Sequence, residues 1–294
     1  MQPLAVAPLS PGNSTTVRLR PVPVPPWLRA GMRVASTVAP GAAARFARKL
    51  FFTPLRARLR DEERAVLAKG EAFSLTALGQ RVVGRAWGEG PTLFLVHGWG
   101  GHAGQMTPFV EPAVAAGFRA VAIDLPGHGE SAGSVSSVVH CAAALDRAAA
   151  LFGPVRGLLA HSFGAAASTY ALSRGLPVGR AVFFAPPSRF ESFWARFQAG
   201  AGLPEGVMQR MLHEAEDWLN VRFDGISPID LAPRMTVPLL VFHDPEDREM
   251  PFGEGVELAR RWPGAELRRV EKLGHLRILR DERCGAAAVE FLAG

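Results

Sequence analysis

The stretch Leu158-Leu159-Ala160-His161-Ser162-Phe163-Gly164-Ala165-Ala166 is written as a strand, a sharp turn and a helix: an apolar run breaks at a serine and resumes as a row of small residues. A serine on such a turn is lifted clear of the strand's end, and its small neighbours Ala160 and Gly164 let the backbone fold tightly beneath it. Ser162 is therefore the candidate nucleophile. Small residues around a serine also occur where a helix merely packs close to a sheet. The reading thus depends on a base, an acid and an oxyanion site elsewhere in the chain.

Outward from this stretch, strands and helices alternate. Ala72–Leu78 and Gln80–Trp87 read as a hairpin joined at Gly79, and Thr92–Val96 is a continuous apolar run suited to a strand buried on both faces. Further strands are expected at Phe118–Ile123, Val155–Ala160, Arg180–Phe184, Pro238–Phe242 and Glu266–Val270. Helices are expected at Pro108–Ala116, Val138–Leu151, Phe163–Ser173, Phe252–Trp262 and Arg283–Leu292. Such alternation predicts an α/β domain with a largely parallel sheet and helices on both faces. The segment from Pro186 to Pro233 interrupts it with two helical stretches rich in Phe, Trp and Met, and reads as an inserted helical cap at about 187–233. Its aromatic cluster Phe193, Trp194 and Phe197 either lines an acyl pocket or packs the cap onto the sheet.

The 294 residues, 48% of them hydrophobic, suffice for one sizeable core with additions. The net charge of +6 is unevenly spread. Residues 1–60 hold ten Arg or Lys and no Asp or Glu, which leaves 23 basic and 27 acidic residues, or −4, for the remainder. The basic character belongs to an N-terminal arm over 1–60, and the body over 61–294 carries no signal for nucleic acid. Residues 1–26 are rich in proline and read as an extended arm, followed by helical patterns over Trp27–Val38 and Ala42–Phe52 and a third helix opening at Asp61-Glu62-Glu63. No apolar run reaches the ~18 residues that span a bilayer. Cys141 and Cys284 have no metal-ligand spacing and read as structural thiols of a reducing, cytoplasmic compartment.

Four motifs resemble the α/β-hydrolase superfamily over about residues 71–294. Leu95-Val96-His97-Gly98-Trp99-Gly100-Gly101 is similar to that family's oxyanion loop, and Asp124-Leu125-Pro126-Gly127-His128-Gly129-Glu130-Ser131 to the turn after its next strand. Ala160-His161-Ser162-Phe163-Gly164 is similar to the nucleophile elbow, with Ala160 where glycine is usual, and Leu273-Gly274-His275 to the loop of the catalytic histidine. The resemblance implies an α/β-hydrolase fold in which Ser, acid and His follow one another along the chain.

Ser162, Asp247 and His275 satisfy that order. A serine hydroxyl needs a base to take its proton as it attacks a carbonyl, and the imidazole needs a carboxylate to fix its tautomer and stabilise its charge. The resemblance assigns the oxyanion donors to the backbone N–H groups of Trp99 and Phe163, and structural or pocket-lining roles to His97, Gly98 and His161. For the acid, Asp247 fits the family's offset from the strand end, whereas Asp244, just before Pro245, reads as a residue that shapes the loop through its own backbone. No metal and no cofactor are expected, because the histidines lack ligand spacing and Gly98-Trp99-Gly100-Gly101 is not a dinucleotide fingerprint.

These readings imply a serine hydrolase acting on a small-molecule carboxylic ester. Thioesterase, lactonase, amidase or C–C hydrolase activity would use the same residues, and a catalytically silent binding protein would share the fold. For the arm, two expectations compete. Either Phe46, Leu50, Phe51 and Phe52 pack on the body, or the two amphipathic helices make peripheral contact with an anionic membrane.

Overall fold

The computed structural model describes residues 24–294, so the proline-rich leader over 1–23 lies outside the described residues. Eight strands form one sheet in the order β1-β2-β4-β3-β5-β6-β7-β8. β1 (Glu71–Ala77) and β2 (Gln80–Trp87) are the expected hairpin. Leu78 and Gly79 both take positive φ, 46° and 75°, the conformation whose twist matches that of the flanking strands. β2 also pairs antiparallel with β4 (Arg119–Ile123). Every other pairing is parallel, through β3 (Thr92–Val96), β5 (Val155–His161), β6 (Val178–Phe184), β7 (Leu239–His243) and β8 (Glu266–Arg269).

The alternation of side chains across β3 explains its unbroken apolar sequence. Phe94 and Val96 join a core built with α5 (Val138–Phe152), α6 (Phe163–Ser173) and α10 (Phe252–Arg261), while Leu93 and Leu95 join a second core with α4 (Val110–Ala115) and α12 (Glu282–Ala293). Both faces of the strand are therefore dry. Cys141 and Cys284 are buried on opposite faces, and burial pushes both thiols up to about 12. The helix expected from Pro108 starts instead at Val110, after a 3-10 segment over Ala103–Phe109 that contains Pro108. Proline lacks the N–H and crowds the preceding turn, so the regular α-helix begins only beyond it.

Between β6 and β7 lie α7 (Glu191–Ala201), α8 (Glu205–Leu219) and α9 (Pro228–Leu231), where the cap was expected. The arm forms α1 (Pro26–Val38) and α2 (Pro40–Phe51), each with proline in its first turn, where no donor is lost. Ala43, Ala44 and Ala47 bring α2 close to the cap, and with Met32 they share one apolar cluster with Phe197, Val207, Met208 and Met211. Phe51 meets Phe197 edge-on at 5.0 Å between ring centroids. The arm thus packs on the cap rather than directly on the sheet. Of the four residues expected to pack, Phe52 is buried, Leu50 and Phe51 are half-buried, and Phe46 remains 48% exposed.

From Phe52 the chain runs without helix to α3 (Asp61–Leu67) as a strap across two loops at the carboxyl ends of the strands. The Arg56 guanidinium donates to the carbonyl oxygens of Gly127, Gly129, Ser131 and Gly133, at 2.7–3.1 Å. Ala57 N–H donates to the Gly100 carbonyl at 2.8 Å. One cation therefore stitches the turn after β4, and the next residue holds the loop after β3.

Candidate active site

β3 lies between β4 and β5, so the chain departs from it in opposite directions across the sheet. In open parallel sheets that reversal leaves a crevice at the carboxyl ends of the strands. Ser162 stands there, between β5 and α6, at φ 50° and ψ −122°. A non-glycine residue adopts positive φ only when its surroundings impose it. Here they do: Ser162 N–H is tied to the Phe184 carbonyl at 2.9 Å, and Ala165 N–H returns to the Ser162 carbonyl at 2.9 Å. At Gly164 any Cβ would collide with the His97 carbonyl, so glycine is required. Ala160, the departure from the usual glycine, is fully buried in the core, and the elbow keeps its sharp turn with the extra methyl in place.

Gly98 lies against this elbow, since a Cβ built on it would come 2.9 Å from a His161 ring nitrogen and 3.2 Å from the Ser162 Cβ. Next to it, the backbone N–H groups of Trp99 and Phe163 donate to no group among the described residues. The two side chains meet edge-on, with ring centroids 4.9 Å apart, and Trp99 is 39% exposed.

His275 sits in the short helix α11 (Gly274–Arg277), after β8. Its Nδ1 is 2.7 Å from Asp247 Oδ2, while Asp247 Oδ1 accepts from the N–H groups of Glu249 and Met250 at 2.8 and 2.9 Å. Burial pushes the Asp247 carboxyl up, yet the His275 bond and these backbone donors outweigh it and hold the group below the usual carboxylate range. With Nδ1 engaged, Nε2 is the ring nitrogen without a hydrogen bond among the described residues. Ser162 Oγ has no hydrogen bond among the described residues.

Asp244 is fully buried and does more than fold its own turn. One oxygen accepts from Glu246 N–H at 2.8 Å, as expected of a turn residue, while the other accepts from both Leu273 and Gly274 N–H at 2.6 Å. It ties the loop of Asp247 to the loop of His275. His161 also reaches the loop of His275, its Nε2 lying 2.9 Å from the His275 carbonyl. The His161 pKa is lowered to about 3, first by burial and then by the neighbouring His275, so the ring is neutral and Nε2–H is the donor.

His97 is fully buried with both nitrogens in use. Nε2 accepts from Leu125 N–H at 3.0 Å and Nδ1–H donates to the Gly98 carbonyl at 2.7 Å, which leaves none for a ligand. Asp124 similarly bridges Ala103 and Glu130 N–H groups. Of the cap aromatics, Phe197 packs on the arm, whereas Trp194 touches three apolar clusters and lies tilted to Phe223 with ring centroids 5.4 Å apart. A cavity of about 420 Å³ is lined by Glu246, Arg248, Glu249, His275, Leu276 and Arg277 among others, from the loops of Asp247 and His275. Sequence reasoning missed Arg56 and the link from Asp244 to the base loop, for which no local signal exists.

Known proteins share this fold. An esterase from Pyrococcus furiosus superposes with a TM-score of 0.64 at 19% identity, covering 82% of this chain and 97% of that one. A thermophilic esterase from Thermogutta terrifontis gives 0.57 at 19% identity, over 76% and 98%. A meta-cleavage product hydrolase from Pseudomonas fluorescens gives 0.57 at 18% identity, over 74% and 96%. At these identities the likeness is one of fold. Among curated proteins, the pimeloyl-[acyl-carrier protein] methyl ester esterase of Methylococcus capsulatus is 52% identical over 44 residues, 15% of this chain and 17% of that protein. The acetyltransferase component of the acetoin cleaving system of Pseudomonas putida is 47% identical over 70 residues, 22% of this chain and 18% of that protein. The chain thus spans about a sixth of the length of these curated relatives. The model of the alpha/beta hydrolase family matches residues 93–287, well over half of the chain. With that match, the sheet order and the elbow in agreement, the chain belongs to the alpha/beta hydrolase family.

Proposed function

We propose that the protein is a serine hydrolase that cleaves carboxylic esters through an acyl-enzyme intermediate. The observation that carries this reading is the 2.7 Å bond from His275 Nδ1 to the buried Asp247, which readies an imidazole at the mouth of the elbow that presents Ser162. Ser162 Oγ attacks the ester carbonyl carbon as its proton passes to His275 Nε2. The oxyanion that forms is met by the free N–H groups of Trp99 and Phe163. When the intermediate collapses, the C–O bond to the alcohol breaks and His275 returns the proton to the leaving oxygen. Water then repeats the sequence on the acyl-enzyme and restores Ser162 as the acid departs. Asp247 stays ionised throughout and fixes the tautomer.

Support for ester substrates comes from the names of similar proteins, among them an esterase of the same fold and a curated methyl ester esterase. The test is a panel of p-nitrophenyl esters of graded acyl length, run with matched thioesters and amides, beside labelling by a fluorophosphonate probe. Labelling of the native protein and its loss in Ser162→Ala, with a fall in ester turnover of several orders of magnitude, is expected. A native protein that resists the probe and turns over no ester would overturn the proposal.

A further inference from the structure

The face of α1 that points away from the cap is apolar. Met32 and Ser36 are the buried residues of the helix, on its packed side, whereas Trp27, Val34 and Val38 are 74%, 65% and 78% exposed. Their spacing of seven and four places them on one stripe, opposite the packed side. A helix on a water-facing surface would carry polar residues there, and a contiguous exposed apolar stripe marks a contact.

A second, independent feature adjoins it. Arg29, Arg33 and Thr37, also one turn apart, line an open groove of about 650 Å³ between α1 and α7, together with Gln198 and Gly202. Neither guanidinium pairs with a carboxylate among the described residues, and the arm contains no acidic residue to meet it. On α2, Arg45 and Lys49 are exposed beside the half-exposed Phe46. Apolar residues at the tip, unpaired arginines at the flank and a complete lack of acid are the pattern of a helix lying in a membrane interface. No helix among the described residues is long and apolar enough to cross a membrane.

We propose that α1 docks the protein on an anionic phospholipid bilayer, with Trp27, Val34 and Val38 entering the headgroup boundary and Arg29 and Arg33 taking lipid phosphates in the groove beside them. The cap-facing side of the helix stays packed, so docking requires no unfolding of the arm. The surface lies on the cap layer and leaves the elbow and base loop untouched, and the proposal does not rest on the reaction assigned above.

The experiment is co-sedimentation of the full chain with phosphatidylglycerol-containing vesicles and with pure phosphatidylcholine vesicles at low and high salt, with sedimentation velocity of the free protein alongside. Binding to the anionic vesicles alone, reduced by salt, is expected. Arg29→Gln with Arg33→Gln should weaken it roughly thirtyfold, at the usual contribution of a basic residue near such a surface. Trp27→Ser with Val34→Ser and Val38→Ser should abolish it. Unchanged thermal unfolding in both variants shows that the exposed positions carry no fold. No binding at low salt, or variants that bind like the native chain, would refute the proposal. So would a dimer that the serine variant converts to monomer, since a second copy would then be the occupant of the stripe.

Discussion

His161, the residue immediately before the serine of the elbow, places its Nε2 2.9 Å from the main-chain oxygen of His275, and the two rings lie 4.6 Å apart between centroids. The strand that delivers Ser162 therefore also holds the loop that delivers the base. His161→Ala should lower kcat about a hundredfold, the usual cost of displacing a catalytic group by about an ångström, while KM changes little. A pH–rate profile of unchanged shape would mark the loss as one of positioning. Unaltered kcat in the variant would show that the base loop holds itself.

Asp244 and Asp247 should separate by phenotype. Asn at 247 can still accept from Glu249 and Met250 with its oxygen, but it presents NH2 toward His275 and favours the wrong tautomer, so kcat should fall by about four orders of magnitude with little change in Tm. Asn at 244 cannot serve all three N–H groups of Glu246, Leu273 and Gly274. Leaving a buried donor unpaired costs about 1–3 kcal/mol, so Asp244→Asn should lower Tm as well as activity. Thermal unfolding beside steady-state kinetics reads both. Equal loss of activity at unchanged Tm in the two variants would remove the distinction.

The elbow and the sheet were legible in the sequence because each is written locally, in small residues around a serine and in short continuous apolar runs, whereas the set Ser162, Asp247 and His275 came from the family resemblance. What was not legible depends on contacts between distant parts of the chain. Arg56 reads as one more cation of a basic arm, and its four carbonyl partners lie 71–77 residues away, where carbonyl groups leave no trace in side-chain identity. Asp244 reads as a turn residue and is one, but its second oxygen serves a loop 29 and 30 residues on. The arm illustrates the same limit. The periodicity of α2 shows that it has a packed face, yet that the face is the alanine stripe against α8, with Phe46 left outward, follows from the close approach of the two helices.

Arg56 supplies the third prediction. A planar guanidinium can donate to Gly127, Gly129, Ser131 and Gly133 together, whereas the point charge of lysine can satisfy only some of them. Arg56→Ala should destabilise the protein by about 2–3 kcal/mol, the lower end for several charge-assisted bonds because the side chain is partly in water. Arg56→Lys should recover less than half of that. Chemical denaturation of the three proteins checks the ranking, and lysine restoring full stability would mean that charge alone, rather than the shape of the group, closes the turn.

The last prediction is a loss of stability on mild acidification. Burial is the first cause lowering the pKa of His97, His128, His161 and His243, well below its ordinary value for His97 and to about 4, 3 and 4 for the others. In the unfolded chain these rings take protons near pH 6.5, so between that value and about 4 the unfolded state binds more protons than the folded one. Stability must then fall as pH drops through this window, and each such histidine adds about 1.4 kcal/mol per pH unit to the slope. Asp124, whose carboxyl burial pushes up, opposes the trend only where it titrates, nearer the carboxylate range. Tm should therefore be level from pH 8 to 7 and decline steeply from pH 6.5 to 5. His128→Phe should shallow that decline, because it removes one of the four rings, while losing at every pH the bond from His128 Nδ1 to the Pro126 carbonyl at 2.9 Å. A Tm constant from pH 8 to 5 would mean that these rings take up their protons without unfolding.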